Sequence, residues 1–529
     1  MYRCLKRPKP FSQIRVDQLA GNISENTNYH HGNESLIEAI IWLAQDFVGT
    51  NNINLLVPEG GFGSRLGSAP KKISKSKIGK DHAAARYLHT YLNEIVPLVF
   101  DSRDTPLLSR VKDEGKLWEP HFYLPTIPLI LINGSKGIGT GFSTNIPCFN
   151  PVDVVANMKR FLHEQPLETM LPYYHGFRGS VTPINSQRFK VTGCYQIDRI
   201  NQTMTITELP VGNVSCMSYI KYKDFLYKFL EKEVDVDTKG GPKQKKSRRH
   251  LPDIVSGIEI IKFSASFFHV VITFQEGKLA NFSDEQLEKL FRLSTTLPTS
   301  NMNLYTPEGM LKHYDSANDI LVEFMKYRIK WYEQRRLYYL NKLLEECQIL
   351  TEKARFIGLE IDETNDFTIR KKKQVEVINL LKSHQFEPES VIKKRYQITG
   401  MTEYSLETEA DEDADGDADG DEKTKTVATT SATSLEYHDY KYLVKMSIDQ
   451  QTVEKIDKLN AERQKKLVEV EEYRETTANK LYITDLSSLM TGYENYLVNW
   501  NKTHMLGNND NTTTKGTMIR KPRAKRAIK

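Results

Sequence analysis

The residues best suited to chemistry in this sequence are Arg86 and Tyr87, which end the segment GKDHAAARY. A tyrosine hydroxyl has an ordinary pKa near ~10, so attack on a phosphodiester at neutral pH needs a base or a cation that favours the phenolate. The developing pentavalent phosphate also needs positive charge, which the fixed fork of donors on Arg86 could supply. Taken alone the pair indicates little, since most such tyrosines are half-buried structural residues.

The segment YHHGNES, residues 29–35, precedes an apolar helical pattern. Ser35 and the neighbouring backbone N–H groups are therefore predicted to lie at a helix N-terminus, which is a natural phosphate site. His30 and His31 can donate to phosphate or accept a proton near neutral pH. Two alternatives stay open: metal ligation, which would need further partners, and a purely structural role for one histidine.

The segment NGSKGIGTGFS, residues 133–143, is rich in glycine. It contains neither a GxGxxG motif that opens a helix nor a Walker lysine, so it does not indicate a nucleotide-binding loop. Glycines let the backbone approach DNA closely. Ile138, which stands alone among small residues, could act as an apolar wedge between base pairs.

The elements that must position these residues follow from hydrophobic patterning. Residues 36–47 predict a buried helix, 54–57 a short strand, 81–96 a helix and 127–132 an apolar strand. Asn150-Pro151 is typical of a helix N-cap followed by the first helical residue.

Farther along the chain, alternating patterns such as 204–207 and 268–274 predict strands of a separate α+β domain. A Gly-, Lys- and Arg-rich stretch near 235–252 interrupts that domain and is predicted to be disordered. Two long helical patterns follow, at 315–357 and 447–482, and favour an antiparallel coiled-coil arm with a small domain at its tip. Two ordinary surface helices are the alternative.

Composition allows a multi-domain soluble protein. The 529 residues suffice for two to four domains, and 39% are hydrophobic and 27% charged. No apolar run is long enough to predict a membrane span, and the first residues do not form a secretory signal. Five scattered cysteines without CxxC spacing disfavour a disulfide framework or a zinc site and fit a reducing compartment.

The net charge of +5 is small, but the charge is unevenly distributed. Basic clusters occur at 71–80, 239–249 and 520–529, and an acidic run at 407–422 offsets them. Local positive charge on a near-neutral chain suits a polyanion-binding surface, although solvated loops explain it equally well.

Four motifs in order make the pattern specific. YHHG, GGFGSR (residues 60–65), GKDxAxARY and YLPxxPxxLINGxxGIGTGxSTxIPxxNP (residues 123–151) together resemble eukaryotic-type, type IIA DNA topoisomerase II. The likeness is to its cleavage and rejoining region and continues to about residue 500. A lysine-rich insertion at 66–78 departs from the family and could add a phosphate-contacting loop.

The resemblance implies a mixed α+β, multi-domain fold. Residues 1–150 would form a partial winged-helix cleavage domain and 151–312 a tower domain. Residues 313–500 would form the coiled-coil arm and a helical exit-gate domain with an acidic disordered insert at 405–435. Residues 501–529 would be a basic disordered tail, serving as a nuclear address or a loose DNA contact.

The resemblance also implies roles for single residues. Tyr87 would attack the DNA backbone to give a 5′-phosphotyrosyl link, Arg86 would stabilise the transition state, and His31 would aid tyrosine activation beside His30. The expected DNA contacts are Tyr29, Ser35, Arg65, Lys80, Ile138, Arg292 and Asn301.

Cofactors and partners follow from the family as well. Mg²⁺ and ATP are expected to bind TOPRIM and ATPase regions that have no counterpart in this sequence. We therefore expect weak or no activity from the chain alone, and action with such regions in one polypeptide or a partner chain. Double-stranded DNA, a second copy meeting at the exit gate, and a nuclear location are the remaining expectations. The alternatives are a non-catalytic DNA-binding, dimerising homologue and a coiled-coil chromosomal protein.

Overall fold

The structure, a computed structural model, describes residues 12–27, 29–67, 78–113, 115–212, 218–227, 254–362, 364, 367–369, 371–397, 437–446, 452–506 and 517–520. The acidic run, the interrupting stretch 235–252, residues 521–529 and most of the lysine-rich insertion lie outside the described residues.

The helices are numbered in chain order. They are α1 Val16–Asn26, α2 Asn33–Ala44, α3 Val96–Val99, α4 Leu129–Ile132, α5 Pro151–Leu162, α6 Tyr219–Tyr227, α7 Asp284–Leu290, α8 Ala317–Ile361, α9 Gln374–Ser383, α10 Glu389–Tyr396, α11 Lys441–Val444, α12 Val453–Glu475 and α13 Ala478–Leu506. Short 3₁₀ segments span Ala85–Tyr87, Ser102–Leu107 and Leu279–Asn281. Among these described helices, none combines the length and the apolar character that crossing a membrane requires.

The strands form small antiparallel sheets. They are β1 Ile14–Arg15, β2 Leu56–Glu59, β3 His89–Leu92, β4 Arg110–Asp113, β5 Lys116–Pro120, β6 Ser135–Ile138, β7 Ser143–Ile146, β8 Ser180–Asn185, β9 Arg188–Thr192, β10 Cys194–Asp198, β11 Thr203–Glu208, β12 Val255–Phe263, β13 Phe268–Phe274, β14 Ser294–Pro298, β15 Met302–Tyr305, β16 Leu311–Tyr314 and β17 Thr517–Arg520. The described chain is therefore mixed α and β.

The N-terminal unit packs α1 and α2 against the sheet β1-β3-β2. Helix α2 forms where predicted, because Leu36, Ile40, Ile41 and Ala44 recur on one face and are all buried. It begins at Asn33 and ends at Ala44, slightly earlier than the predicted 36–47.

Two predictions in this unit were wrong. Residues 81–96 are not a helix: a 3₁₀ turn is followed by β3, which pairs with β1 and with β2. Pairing on both sides satisfies the backbone groups of β3, and the Ala83 N–H donates to the Gly61 carbonyl at 2.9 Å. These tertiary contacts outweigh the helix propensity of the alanines. Residues 127–132 are not a strand, because the single helical turn α4 buries Leu131 and Ile132. The strand predicted at 54–57 exists as β2, shifted by two residues.

The second unit is built on a five-stranded sheet in the order β10-β11-β13-β12-β17. The strands predicted at 204–207 and 268–274 are confirmed as β11 and β13. Strand β13 alternates buried and half-buried residues, as a sheet with one covered face requires. The last strand, β17, corrects the prediction that the tail is disordered throughout, as does α13, which extends to Leu506.

A third core joins α5, α8 and α13. Asn150 caps α5 by accepting a hydrogen bond from the Val152 N–H at 3.0 Å, as the Asn-Pro pair predicted. Leu131, Val154 of α5 and Ile320 of α8 share this one core, so it contains residues from both sides of the boundaries predicted at 150 and 312.

A buried charge cluster ties the third core together. Arg328 and Arg335 of α8 meet Asp104 of the second 3₁₀ segment, its N-cap residue Asp101, and Asp485 of α13. The Arg328 Nη2–Asp104 Oδ2 distance is 2.5 Å, and Arg328 is fully buried. Such a network holds the long helices α8 and α13 in one register against this 3₁₀ segment.

Helices α8 and α12 run antiparallel. The Arg336 guanidinium donates to the Tyr473 carbonyl at 3.5 Å, and Arg463 donates to Thr351 at 3.4 Å, so residue numbers rise on one helix as they fall on the other. At their far end α9, α10 and α11 close a separate apolar core with Phe356. The helix predicted at 447–482 is interrupted, since α12 ends at Glu475 and α13 begins at Ala478.

His175 marks the contact between α13 and the N-terminal unit. Its ring centroid lies 4.2 Å from that of Trp500, and burial, with the charge of nearby His504, lowers the pKa of His175 to about 4. As the pH falls, the unfolded chain therefore takes up a proton at His175 at a higher pH than the folded chain does. The stability that neutral His175 contributes is present above the ordinary histidine pKa and is lost as the pH falls toward 4.

We expect the free energy of unfolding to fall by ~2 kcal/mol through this residue between about pH 7.5 and about pH 5. Urea unfolding of the wild type and of His175→Gln at the two pH values measures it. The glutamine variant should lack this share of the pH dependence, because the other titrating groups, including the His504–Asp46 pair, are common to both proteins. An identical pH dependence in both would contradict the assignment.

Candidate active site

Tyr87 ends the 3₁₀ turn Ala85–Tyr87 and is 65% exposed. The Arg86 guanidinium carbon lies 5.0 Å from the centre of the Tyr87 ring, and Arg86 is exposed as well. The phenol and the guanidinium therefore share one accessible surface, which is where a polyanion the size of a duplex could reach them.

The backbone before Tyr87 is held by a brace, formed by Gln45, Gly63, Ser64, Gly79 and Asp81. The Gln45 amide, on a residue that is 6% exposed, donates to the Phe62 and Gly79 carbonyls, both at 2.9 Å. Asp81 accepts from the backbone N–H of Ser64 at 2.9 Å and from its hydroxyl at 2.6 Å. The brace thus joins GGFGSR to GKDHAAARY.

Glycine is required at one point of the brace. Gly63 has φ +99°, and a Cβ built there would lie 2.5 Å from the Gly79 carbonyl oxygen. Both the left-handed conformation and the close approach exclude a side chain.

Gly63→Ala is therefore expected to strain the brace by ~1–3 kcal/mol and to lower the yield of any covalent product at Tyr87 by about tenfold or more. Gly61→Ala is the matched control from the same motif, because nothing lies within 4 Å of a Cβ built there. Comparing the two variants in an adduct assay and in urea unfolding tests the idea, which fails if both behave alike.

The YHHG turn packs on the same core as the tyrosine segment. Tyr29, Ala83 and Ala85 all pack, partly buried, against the core of α1, α2 and β3. The rings of His30 and His31 are exposed, with centroids 4.4 Å apart, and Tyr29 meets His31 edge-on at 5.6 Å. Ser35 is exposed in the first turn of α2, as the predicted helix N-terminus requires.

Ile138 stands at the end of a β-hairpin and is 92% exposed. Strands β6 and β7 pair up to Ile138 and Ser143, and the Gly139 N–H closes the loop on the Phe142 carbonyl at 2.8 Å. An apolar side chain that projects from the end of a closed hairpin is suited to insertion between base pairs.

The remaining predicted contacts occupy different settings. Lys80 is half-buried, 2.5 Å from the Glu38 carboxylate and over the Trp42 ring. Asn301 is half-buried, its side chain donates to the Ser143 hydroxyl at 2.9 Å and its carbonyl accepts from the Asn145 N–H, so it holds strand β7 of the hairpin. Arg292 is exposed, has φ +52° and lies over the Phe225 ring.

The prediction that Arg65 lines the DNA path was wrong. Its side chain is 2% exposed, and its guanidinium donates to the Glu208 carboxylate at 2.6 Å and to the Leu209 carbonyl at 3.0 Å. A buried arginine so paired is unavailable to a phosphate. Arg65 instead joins the N-terminal unit to strand β11.

Sequence reasoning missed the two side chains that set the tyrosine segment, Gln45 and Asp81. Gln45 follows the last residue of α2 and carries no chemical signature. Asp81 lies within the recognised motif, but its partner Ser64 is 17 residues away, and no local pattern links the two.

Metal binding has no visible support in the described part of the chain. Among those residues, no group of three or more His, Cys, Asp or Glu side chains is placed to hold an ion. The described side chains therefore do not supply the ligands of a Mg²⁺ site.

Comparisons with known proteins identify the class. The family of DNA gyrase/topoisomerase IV A-subunits matches residues 1–488. DNA topoisomerase 2 of Candida albicans is 33% identical over 513 residues, covering 94% of this chain and 32% of that protein. The topoisomerase-like protein cin-4 of Caenorhabditis elegans is 33% identical, with 93% of this chain and 55% of that protein covered.

A solved structure agrees with these sequence relatives. The DNA-binding, cleavage and re-ligation domain of Plasmodium falciparum topoisomerase II superposes with a TM-score of 0.71 at 32% identity, covering 96% of this chain and 61% of that one. The chain therefore belongs to the family of DNA gyrase/topoisomerase IV A-subunits, within the type II topoisomerases. It spans about a third of the length of the C. albicans topoisomerase 2.

Proposed function

We propose that this chain carries out the DNA cleavage and rejoining of a type IIA topoisomerase. The observation that carries the proposal is the exposed Arg86–Tyr87 pair on its hydrogen-bonded brace, in a chain that matches topoisomerase 2 proteins over 94% of its length. The reaction is an exchange of phosphodiester for phosphotyrosyl ester, so it conserves bond energy and needs no external co-substrate for resealing.

The proposed step exchanges one phosphorus–oxygen bond for another. The Tyr87 oxygen attacks a backbone phosphorus, the P–O3′ bond breaks, and the 3′ oxygen leaves as a hydroxyl, taking up in net the proton that the phenol releases through His31. Arg86 stabilises the charge on the phosphoryl oxygens as it develops. His31, assisted by His30, accepts the phenolic proton, and the reverse reaction reseals the strand.

The DNA surface in this proposal consists of exposed or half-buried residues around the tyrosine. Ile138 wedges between base pairs and bends the duplex. Tyr29, Ser35, Lys80 and Arg292 contact the backbone. Asn301 acts on DNA indirectly, because its side chain holds strand β7 of the hairpin that carries Ile138.

The larger parts take their names from the family. Residues 1–150 belong to a winged-helix cleavage domain and 151–312, with the five-stranded sheet, to the tower. Helices α8 and α12 form the coiled-coil arm, and the apolar core around Phe356 belongs to the exit gate where two copies meet. Mg²⁺ and ATP act through TOPRIM and ATPase regions, in the same polypeptide or a partner chain, and the nucleus is the proposed location.

The test is to mix the chain with supercoiled DNA, Mg²⁺, ATP and a TOPRIM-bearing partner, and then to trap complexes with detergent. We expect a covalent adduct at the 5′ end of each cut strand. DNA binding and dimerisation without any adduct would overturn cleavage and would favour a non-catalytic homologue. Binding is also expected to weaken steeply with salt, because phosphate contacts release counterions.

A further inference from the structure

A second hairpin stands directly beside the one that carries Ile138. Strands β15 and β16 pair from Met302–Tyr314 to Tyr305–Leu311. The Asn303 amide donates to the Ser143 carbonyl at 2.8 Å, and the Asn303 N–H donates to the Thr144 hydroxyl at 3.3 Å. The two hairpins therefore form one hydrogen-bonded platform.

The second hairpin has an inner and an outer face. Met302 and Tyr314 point inward and are buried in the third core, which anchors it. Tyr305 and its cross-strand partner Leu311 share the opposite face and are 63% and 46% exposed. A tyrosine this exposed contributes little to the folding of a hairpin that is already anchored.

Tyr305 also contacts the loop that carries Ile138. Its ring meets Phe142 edge-on, with 6.0 Å between centroids. Phe142 closes the loop through its carbonyl, so the aromatic pair and Ile138 belong to one rigid surface. Phe142 thus links Tyr305 to the loop that follows Ile138.

We propose that Tyr305 is a second contact to the duplex, packing on a deoxyribose or on a base unstacked by the Ile138 wedge. The proposal rests on the proposed function, because it takes DNA as the ligand of the Ile138 hairpin. Aromatic side chains that meet nucleic acid gain affinity by stacking, with little dependence on sequence. Tyr305 would thereby fix the position of the bend rather than the chemistry of cleavage.

The charges around the platform permit a polyanion. Glu308 and Asp315 are exposed near the second hairpin. The hydrogen bond with Thr306 lowers the pKa of Glu308 most, and the charges of Lys330 and Lys312 lower it further, although Lys312 also pairs with Glu323. Lys136 is exposed on β6 of the neighbouring hairpin. The acidic side chains are thus offset locally, and the aromatic face itself carries no charge.

Photo-crosslinking tests the contact directly. A benzoylphenylalanine placed at position 305 of the 529-residue chain should crosslink to DNA within a few base pairs of the crosslink from position 138. The matched control is position 200, where Ile200 is 92% exposed on the β10–β11 turn and is expected not to crosslink. Failure of position 305 to crosslink while position 138 succeeds would overturn the proposal.

Affinity and base unstacking provide the second test. Tyr305→Ala should weaken binding to a labelled duplex by about fivefold or more, and Tyr305→Phe by less than about twofold, because stacking needs the ring and not the hydroxyl. A 2-aminopurine at the bend should report less unstacking in the alanine variant. Equal affinity of the alanine variant and the wild type would refute the contact.

These measurements are independent of cleavage. They are made in the Tyr87→Phe background without a TOPRIM partner, so a failure to form covalent adducts leaves them interpretable. Conversely, adducts that form normally while position 305 never meets DNA would leave the proposed function standing and remove only this inference.

Discussion

Replacing Tyr87 by phenylalanine is expected to abolish covalent protein–DNA adducts while leaving duplex affinity within about twofold. The change deletes only the attacking oxygen, so the loss of adduct should be at least about a thousandfold. The ring is 65% exposed, and its segment is fixed by the Gln45 and Asp81 contacts. Loss of the Tyr87 hydroxyl should therefore leave the stability of the fold unchanged. Detergent trapping on end-labelled DNA measures the first effect, and fluorescence anisotropy the second.

The matched control for Tyr87 is Tyr91→Phe. Tyr91 lies on the adjacent strand β3, and burial, with the charges of Glu59 and Glu94, raises its pKa, which makes it a poorer nucleophile. This variant should keep the adduct yield of the wild type. Adducts that survive Tyr87→Phe would show that another residue attacks, and adducts lost equally in both variants would indicate damage to the fold.

Removing Asp104 from the charge cluster should destabilise the protein strongly. Asp104 is 2% exposed and accepts from Arg328, which is fully buried, at 2.5 Å, with Arg335 at 3.4 Å. Asp104→Ala leaves the Arg328 charge buried without its carboxylate, and we expect a loss of about 3–5 kcal/mol in the free energy of unfolding. Urea unfolding followed by circular dichroism measures it.

Two further variants serve as controls for Asp104→Ala. Asp284→Ala breaks an exposed ion pair with Arg199 and should cost less than about 1 kcal/mol. The double change Asp104→Leu with Arg328→Met removes both charges together and should recover much of the stability lost in Asp104→Ala. If Asp104→Ala costs no more than Asp284→Ala, the cluster does not hold the core together.

Much of the fold could be predicted from periodicity. Helices α2, α5 and α8 and strands β11 and β13 follow from apolar spacing and from caps, which are local signals. The failures at 81–96 and 127–132 arose where a tertiary contact decides the backbone. An alanine-rich segment became a turn and a strand because β1 and β2 pair with it, and that pairing is invisible in a window of ten residues.

In the candidate site, too, local motifs were readable from the sequence and long-range contacts were not. Motif order predicted Tyr87, His31 and Ile138 as site residues, because the residues themselves carry the pattern. It could not locate the brace or the true partner of Arg65. Arg65 is basic and stands in a recognised motif, yet its carboxylate partner Glu208 is 143 residues farther along the chain. Residue type alone indicates a cation, and only the folded contacts decide whether that cation meets DNA or protein.

Helix α8 is one uninterrupted element that belongs to two cores. Its 45 residues span about 68 Å, and it packs Met325 and Tyr332 in the third core and Phe356 and Ile357 in the distal one. Arg335, in the charge cluster, lies about 32 Å from Phe356 along the helix axis. A stiff rod pivoting there by roughly 10° would move Phe356 by about 5 to 6 Å. The length and continuity of helix α8 would thus convert a small rotation at the ion pairs into a larger displacement at the distal core.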